Sequence, residues 1–216
     1  MKAIVLLSGG VDSSTCLALA KQSHEKVIAV TIDYGQTHKR EIEAAKKVAE
    51  YYEVEKHIIL DLKNIFKNSH SSLNRESGLE ITTGDYKNQK NINTEVEFRN
   101  GIFLTIMAGL GLQYDADYIY YGAHKDDSGA IYADCSDEFI DSIKETILIG
   151  TRKKVELITP FKNNTKDEIV KLGLKLQVPY NLTYSCYKGT WPPCGECGTC
   201  IDRKKAFKKN GIEEKY

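Results

Sequence analysis

The segment Ser8-Gly9-Gly10-Val11-Asp12-Ser13-Ser14 directly follows the apolar run Ala3-Ile4-Val5-Leu6-Leu7, and this junction constrains the fold more than any other feature of the chain. The apolar run predicts a buried strand, and the segment after it predicts a tight turn that opens a helix at Ser13. Two glycines let backbone NH groups approach anionic oxygens, and the positive end of the helix points to the same place. We therefore expect a loop that binds pyrophosphate, with an ordinary strand-to-helix turn as the alternative.

The loop differs from the kinase-type phosphate loop, because it lacks the Gly-Lys-Ser/Thr ending in which a lysine reaches the outer phosphates. Transfer of a terminal phosphoryl group is therefore not the expected chemistry. The loop resembles that of the ATP pyrophosphatase (PP-loop) family, whose members cleave ATP between the α and β phosphates and adenylate an oxygen of the substrate. This resemblance implies that ATP is bound by Leu7, Ser8, Gly9, Gly10, Val11, Asp12, Ser13, Ser14, Thr15, Cys16 and Leu17. Cys16 also falls where the first helix packs against the sheet, so we expect a core residue there.

Strands and helices alternate along the rest of the chain. Apolar residues at helical spacing predict helices between strands, and Thr165 with Glu168 has the spacing of a capping box before a helix at 169–176. This alternation predicts an α/β fold with a doubly wound, mostly parallel sheet of about five strands. The PP-loop resemblance implies a Rossmann-like sheet of the adenine nucleotide alpha hydrolase-like type. After the first strand, further strands are predicted at residues 27–32, 57–60, 118–121 and 155–158.

Residues 62–96 show no helical or strand periodicity. The segment would leave the carboxyl end of the third strand, where open parallel sheets bind ligands. A lid that closes on bound substrate is the interpretation we favour, and disorder is the alternative.

Four of the six cysteines crowd near the carboxyl end, as Cys186, Cys194, Cys197 and Cys200. Two-residue gaps let successive thiolates point at one centre, and the longer gap brings back a fourth to complete a tetrahedron. We expect a structural zinc site, with an iron–sulfur cluster as the alternative. The predicted organisation is a nucleotide-binding catalytic domain at 1–180, which carries the lid, and a zinc-binding segment at 181–216 packed on it.

Thirty basic residues balance thirty acidic ones, so the chain lacks the basic field that dominates nonspecific nucleic-acid binding. A small-molecule substrate is favoured over RNA. The basic run 203–209 is interpreted as a solvated helix face, with a nucleic-acid contact as the alternative. The chain begins at a predicted core strand without a leader, and its longest apolar stretch, 101–112, is too short to cross a bilayer, so we expect a cytoplasmic protein without membrane contact.

The loop at the start and the cysteines at the end together resemble the QueC family of 7-cyano-7-deazaguanine synthases, which act in queuosine precursor synthesis. The resemblance covers almost the whole chain. Its departures are local: Val96-Glu97 precedes Phe98-Arg99-Asn100, where the family often has Pro-Gly or Pro-Phe before Arg-Asn, and Ala133 stands where proline is frequent. The matching segments are 7–17, 98–100, 122–129, 132–139, Lys166 and the cysteine tail.

The resemblance implies conversion of 7-carboxy-7-deazaguanine and ammonia to the nitrile, with ATP and Mg²⁺, in a homodimer. Arg99 and Lys166 would offset charge on the phosphates or the activated carboxylate, unless they are surface cations. Asp127 and Asp134 would bind Mg²⁺ or the NH edge of the deazaguanine, unless they are solvated loop carboxylates. His124 lies at the same strand end as either a catalytic or a packed side chain.

Three other functions remain open on the sequence. A tRNA-modifying enzyme with the same loop would need a basic surface, and the charge balance counts against it. A zinc-containing nucleic-acid-binding module without catalysis is supported only by the basic run 203–209. A relative that uses the same activation to join a deazaguanine to another partner is the third.

Overall fold

Five parallel strands form a single sheet, in the order β3-β2-β1-β4-β5. A computed structural model of the chain describes residues 1–86, 92–127 and 132–214, apart from the Asp127 side chain. The strands are β1 (Lys2–Leu6), β2 (Lys26–Asp33), β3 (Lys56–Asp61), β4 (Tyr118–Tyr120) and β5 (Glu156–Ile158). The α-helices within the described residues are α1 (Val11–Ser23), α2 (Arg40–Tyr51), α3 (Lys63–Phe66), α4 (Arg99–Gln113), α5 (Asp137–Gly150), α6 (Lys166–Lys175) and α7 (Gly198–Lys209).

The central strand β1 is buried on both faces, as its apolar sequence predicts. Ile4 lies opposite Ile28 of β2 and Ile119 of β4 in parallel register. Helices α1, α2 and α6 pack on one face of the sheet, and α4 and α5 pack on the other. The predicted doubly wound α/β fold is therefore confirmed. The strand order reverses on the two sides of β1, and this is the place where such sheets bind ligands.

Helices α1 and α6 are confirmed, but their boundaries differ from the prediction. Helix α6 begins at Lys166, three residues before the predicted start at 169, and ends at Lys175, one residue before the predicted end at 176. Helix α1 begins at Val11, two residues before the predicted Ser13, because Gly10 is still extended and its carbonyl accepts the Ser14 NH at 3.1 Å. Thr165 and Glu168 form the capping box at the start of α6. Cys16 is fully buried in the core, as expected.

The described part of segment 62–96 packs along the sheet with little regular structure. Phe66, Leu73 and Val96 are buried in the core beside Phe103 of α4. Glu97, just after the segment, accepts hydrogen bonds from the Ser69 hydroxyl at 2.6 Å and the His70 NH at 2.9 Å. Residues 87–91 lie outside the described residues, and the role of the segment as a lid stays a prediction.

Helix α7 packs against α6 and does not present a uniformly solvated face. Arg203 is 3% exposed and donates hydrogen bonds to Glu214 at 2.6 Å and to the Thr183 hydroxyl at 2.9 Å, so the expectation of a solvated face is wrong at this position. Lys205 pairs with Asp85, and Lys209 pairs with Asp167. Carboxylates therefore neutralise much of the basic run. Across the described residues, no helix combines the length and the apolar character needed to cross a bilayer.

Candidate active site

A cavity of about 210 Å³ lies over the carboxyl ends of β1, β2 and β4. Leu7 and Ala123 line this cavity from beyond the ends of β1 and β4, and Ile32 lines it from the end of β2. The start of α4 forms one side of the cavity. A second cavity of about 140 Å³ lies beside it, between the predicted phosphate loop and the carboxyl-terminal segment. The two cavities share Ser8, Asp12, Glu41 and Tyr187.

The phosphate loop is held tightly against α2. Gly9 has φ of +86°, and a Cβ there would lie 2.4 Å from the Glu41 carbonyl oxygen, so glycine is required on both counts. Within the loop, the hydroxyls of Ser8 and Ser13 are 3.0 Å apart, and the Ser13 hydroxyl donates to the Gly10 carbonyl at 3.3 Å. The loop therefore has a fixed shape with its amides at the start of α1.

Two buried polar atoms of the loop region have no hydrogen-bond partner among the described residues: the Ser14 hydroxyl and Asp12 Oδ1. Burying such groups unpaired is costly, unless a ligand satisfies them. A phosphate-containing ligand with a bound cation would satisfy both atoms. The Ser14 hydroxyl can donate to a phosphate oxygen, and the Asp12 carboxylate can bind the cation.

Lys166 and His124 converge on Asp12 in the second cavity. Lys166 Nζ contacts Asp12 Oδ2, and His124 Nε2 lies 3.7 Å from the same oxygen. The amide of Lys166 is also fixed, because it donates to Asp126 Oδ2 at 2.8 Å. The structure thus brings together the predicted residues Asp12 and Lys166, which are far apart in sequence.

Arg99 enters the first cavity from the start of α4. Its guanidinium lies 5.4 Å from the centre of the Tyr34 ring and 5.9 Å from that of Phe103. Its Nη1 donates to the Tyr34 hydroxyl at 3.4 Å, whereas its buried Nε has no partner among the residues described. A cation held on aromatic faces with a spare donor is suited to a planar or anionic ligand.

The sequence interpretation missed Glu41, in the first turn of α2. Its side chain lines both cavities. Burial raises the pKa of Glu41 to about 7, although the nearby Arg99 charge opposes the shift. A signal existed in the sequence, because Glu41 lies on the apolar stripe of α2 that continues with Ala45 and Val48.

The tyrosines were also missed, since their scattered positions gave no pattern. Four that are far apart in the chain line the first cavity: Tyr34, Tyr121, Tyr132 and Tyr187. Their rings and that of Phe103 give the cavity an aromatic wall. Such a wall suits a heterocycle, because aromatic faces stack with planar rings.

Asp134 does not line either cavity, and Asp127 is not described at the side-chain level. Both carboxylate oxygens of Asp134 accept hydrogen bonds from Asn100, from its NH at 2.8 Å and from its side-chain amide at 3.0 Å. Asp134 thereby fixes the start of α4 and, through it, the adjacent Arg99. The backbone of Asp127 ends the short turn Lys125–Asp127, and the last two residues of the matching segment 122–129 lie outside the described residues.

Cys186, Cys194, Cys197 and Cys200 meet as predicted, with their sulfur atoms all within 4.8 Å of one another. The amides of Cys194 and Cys197 donate to the sulfurs of Cys186 and Cys194, both at 3.4 Å. Hydrogen bonds from the Cys197 and Cys200 thiols hold the pKa of Cys186 well below its usual range. A thiolate-rich, converging donor set of this kind can hold a metal ion.

Comparison with known proteins agrees with this arrangement. The family model described as "Queuosine biosynthesis protein QueC" matches residues 2–211. The chain belongs to the QueC family. One member, the 7-cyano-7-deazaguanine synthase of Persephonella marina, is 39% identical over 219 residues, which cover 99% of this chain and 95% of that protein.

Solved structures of other proteins share the fold of this QueC family member. NMN synthetase from Francisella tularensis superimposes with a TM-score of 0.56 at 15% identity, covering 99% of this chain and 78% of the other. A 4-thiouridine synthetase, solved with RNA and bound ATP, gives a TM-score of 0.54 at 18% identity over 84% of this chain and 42% of the other. At these identities the likeness shows the fold alone.

Proposed function

We propose that this protein is a carbon–nitrogen ligase that converts 7-carboxy-7-deazaguanine and ammonia into 7-cyano-7-deazaguanine at the expense of ATP. The observation that carries the proposal is the rigid loop at Gly9 with the unpartnered Ser14 hydroxyl, beside Lys166 and Asp12. Membership of the QueC family and the name of the Persephonella marina relative support the choice of substrate.

The reaction needs activation because a carboxylate is a poor electrophile and its leaving group would be oxide. Attack of the carboxylate oxygen on the α phosphorus of ATP gives an acyl adenylate and releases pyrophosphate. Ammonia then displaces AMP to give the amide. A second adenylation, now of the amide oxygen, followed by loss of AMP and of both amide protons, gives the nitrile.

The residues of the loop fit the departing pyrophosphate. The start of α1 supplies amides, and the Ser14 hydroxyl supplies a donor that lacks a partner within the described chain. Lys166 and Arg99 would offset negative charge as the α–β bond breaks. Asp12 Oδ1, which has no hydrogen-bond partner among the described residues, would bind Mg²⁺, and this ion would neutralise the phosphates further.

The four-cysteine cluster fits zinc, because four sulfur donors without an open position form a structural site. Gly84 NH donates to the Glu196 carbonyl at 2.8 Å, and Thr83 pairs with Cys197. These contacts join the proposed lid at 62–96 to the zinc-binding segment at 181–216, which is the second unit beside the catalytic domain at 1–180. A cytoplasmic location and a homodimer complete the proposal.

The test is incubation of purified protein with ATP, Mg²⁺, ammonium and 7-carboxy-7-deazaguanine, followed by mass detection of products. We expect the nitrile, with AMP and pyrophosphate formed only when the acid is present. Release of ADP and orthophosphate without any adenylate would contradict the proposed chemistry. Replacement of the acid by tRNA should give no AMP, which separates this function from tRNA modification.

A further inference from the structure

Glu41 occupies the boundary between the two cavities, where an activated acyl group would meet its nucleophile. Its carbonyl is pressed against Gly9, so the first turn of α2 is fixed to the phosphate loop. Its side chain lines both the aromatic cavity and the cavity that holds Lys166. None of the described side chains is hydrogen-bonded to the Glu41 carboxylate, whereas the neighbouring Glu43 is paired with Lys46 at 2.8 Å.

Charged and titratable groups from several elements face this carboxylate. Arg99 of α4 favours its ionised form, whereas burial and the Cys186 thiolate disfavour it. The Glu41 charge in turn contributes to raising the pKa of Tyr34, which lies just beyond β2. The remaining titratable groups around the two cavities are Asp12, Tyr86, Tyr121, His124, Asp126, Tyr132, Cys135, Lys166, Tyr184, Tyr187 and Asp202.

The proposed reaction removes three protons from the nitrogen of ammonia, in two stages. When ammonia attacks the acyl adenylate, the new C–N bond forms, the C–O bond to AMP breaks with its electron pair, and the nitrogen loses one proton. When the amide oxygen is adenylated and the resulting imidate collapses to the nitrile, the C–O bond to AMP breaks again, and the same nitrogen loses its two remaining protons. Lys166 and Arg99 are cations that cannot accept these protons while charged.

We propose that the Glu41 carboxylate is the catalytic base that takes these protons from the substrate nitrogen in both stages and passes each one to solvent before it accepts the next. This role rests on the proposed function, because it needs an adenylated acyl group in the same cavity. Glu41 is suited to it by its position at the junction of the cavities and by carboxylate oxygens that accept no hydrogen bond from the described residues. Its pKa of about 7 means that the carboxylate is present above that pH and is lost as the pH falls through it.

The first experiment separates activation from attack by nitrogen. In Glu41→Gln, we expect acid-dependent exchange of pyrophosphate into ATP to stay within about threefold of wild type, because adenylation needs no proton acceptor. Amide and nitrile formation from ammonium should fall by about a hundredfold or more. Hydroxylamine, a stronger nucleophile, should still give the hydroxamate at a rate close to that of wild type.

The second experiment follows pH and uses matched variants. The ratio of wild-type to Glu41→Gln kcat/KM for ammonium should rise as the pH increases through about 7, since only wild type gains the carboxylate. Taking the ratio removes the change in free ammonia, which is common to both proteins. Glu41→Asp should keep the pH-dependent rise at a lower rate, and Glu43→Gln, on the exposed side of α2, should match wild type.

The outcomes are distinct. If wild type forms no adenylate from the acid, the proposed function fails and the role of Glu41 fails with it. If wild type forms the adenylate but Glu41→Gln loses exchange and amide formation by the same factor, Glu41 positions ATP and is not the base. An unchanged pH profile with unimpaired amide formation in Glu41→Gln also overturns the role.

Discussion

Gly9 is the residue of the phosphate loop that has no room for a side chain. Its φ of +86° strains any other residue, and a Cβ would lie 2.4 Å from the Glu41 carbonyl oxygen and 2.6 Å from the Ala45 nitrogen. Both neighbours are backbone atoms of α2, so neither can turn away. We expect Gly9→Ala to lower the free energy of unfolding by more than about 1 kcal/mol and to raise the KM for ATP.

Gly211 provides the matched control for the effect of Gly9. Its φ is +74°, but none of the heavy atoms that the structure describes lies within 4 Å of an added Cβ. Gly211→Ala therefore has the backbone strain without the clash, and thermal denaturation should show a smaller loss of stability than for Gly9→Ala. Equal losses in the two variants would mean that the contact between the loop and α2 is unimportant.

Lys166 is the residue whose charge we expect to matter most for adenylation. Its Nζ contacts Asp12 Oδ2 at the end of the loop, and its side chain is 19% exposed. Lys166→Met should lower kcat/KM for ATP by about a hundredfold to a thousandfold, because a cation that offsets phosphate charge is lost. Steady-state release of AMP and pyrophosphate measures the change.

Lys162 is a suitable control for Lys166. It pairs with Asp141 at 2.6 Å with a side chain 22% exposed, but it does not line either cavity. Lys162→Met should leave kcat/KM within about threefold of wild type, since a single exposed ion pair contributes little. If the two variants lose activity equally, the effect is general and Lys166 has no special role.

Site residues could be predicted where the signal was local in sequence. The loop from Ser8 to Ser14 was recognisable, because a strand, two glycines and a helix start follow one another directly. Glu41 was not found, although its position on the apolar stripe of α2 is a sequence signal, since only the fold shows that this stripe reaches the loop. The tyrosines that line the first cavity could not be predicted from the sequence, because Tyr34 and Tyr187 come together only when the chain folds.

At the scale of elements, the long helices and buried strands were predictable and the irregular segment was not. Even β4 and β5, of three residues each, lie within the strands predicted at 118–121 and 155–158. Segment 62–96 is held by specific contacts instead, such as the Thr37 NH donating to the Leu73 carbonyl at 2.9 Å. Contacts of this kind have no periodicity, so no pattern in the sequence reports them.

The metal centre should control the order of the neighbouring loop at residues 83–86. Thr83 forms a β-bridge with Cys197, and the Gly84 NH donates a hydrogen bond to the Glu196 carbonyl. Cys197 and Glu196 both belong to the cysteine segment. Because metal binding supplies much of the folding free energy of such segments, we expect removal of the bound metal, which we propose to be zinc, to loosen the loop. Hydrogen exchange should show faster exchange at Gly84 and little change in the amides of β1.

Variants of single cysteines test the same coupling without a chelator. Cys197→Ser should lower the zinc content measured by mass spectrometry and increase exchange at residues 83–86. Cys135→Ser changes a buried cysteine outside the cluster and should keep full zinc content. Protection at Gly84 that survives loss of zinc would show that the loop is ordered independently of the metal.

At the scale of the whole molecule, exposed apolar residues lie where the ends of α4 and α5 meet. Leu112 in the last turn of α4 is 42% exposed, and Ile149 in the last turn of α5 is 63% exposed. Leu112 and Gly150 line a common cavity, so the ends of the two helices adjoin. An exposed apolar surface of this kind favours association, which supports the predicted homodimer.

We expect the 24.3 kDa chain to sediment as a dimer, and Ile149→Glu to shift it toward a monomer, because a charge at the centre of a self-complementary contact is repeated on the partner. Ile65, 57% exposed on α3 at the opposite edge of the sheet, is the control, and Ile65→Glu should sediment as wild type does. Sedimentation velocity at several protein concentrations measures both variants. A monomeric wild type would refute the homodimer, whereas a dimer disrupted by Ile65→Glu and not by Ile149→Glu would place the interface at the β3 edge.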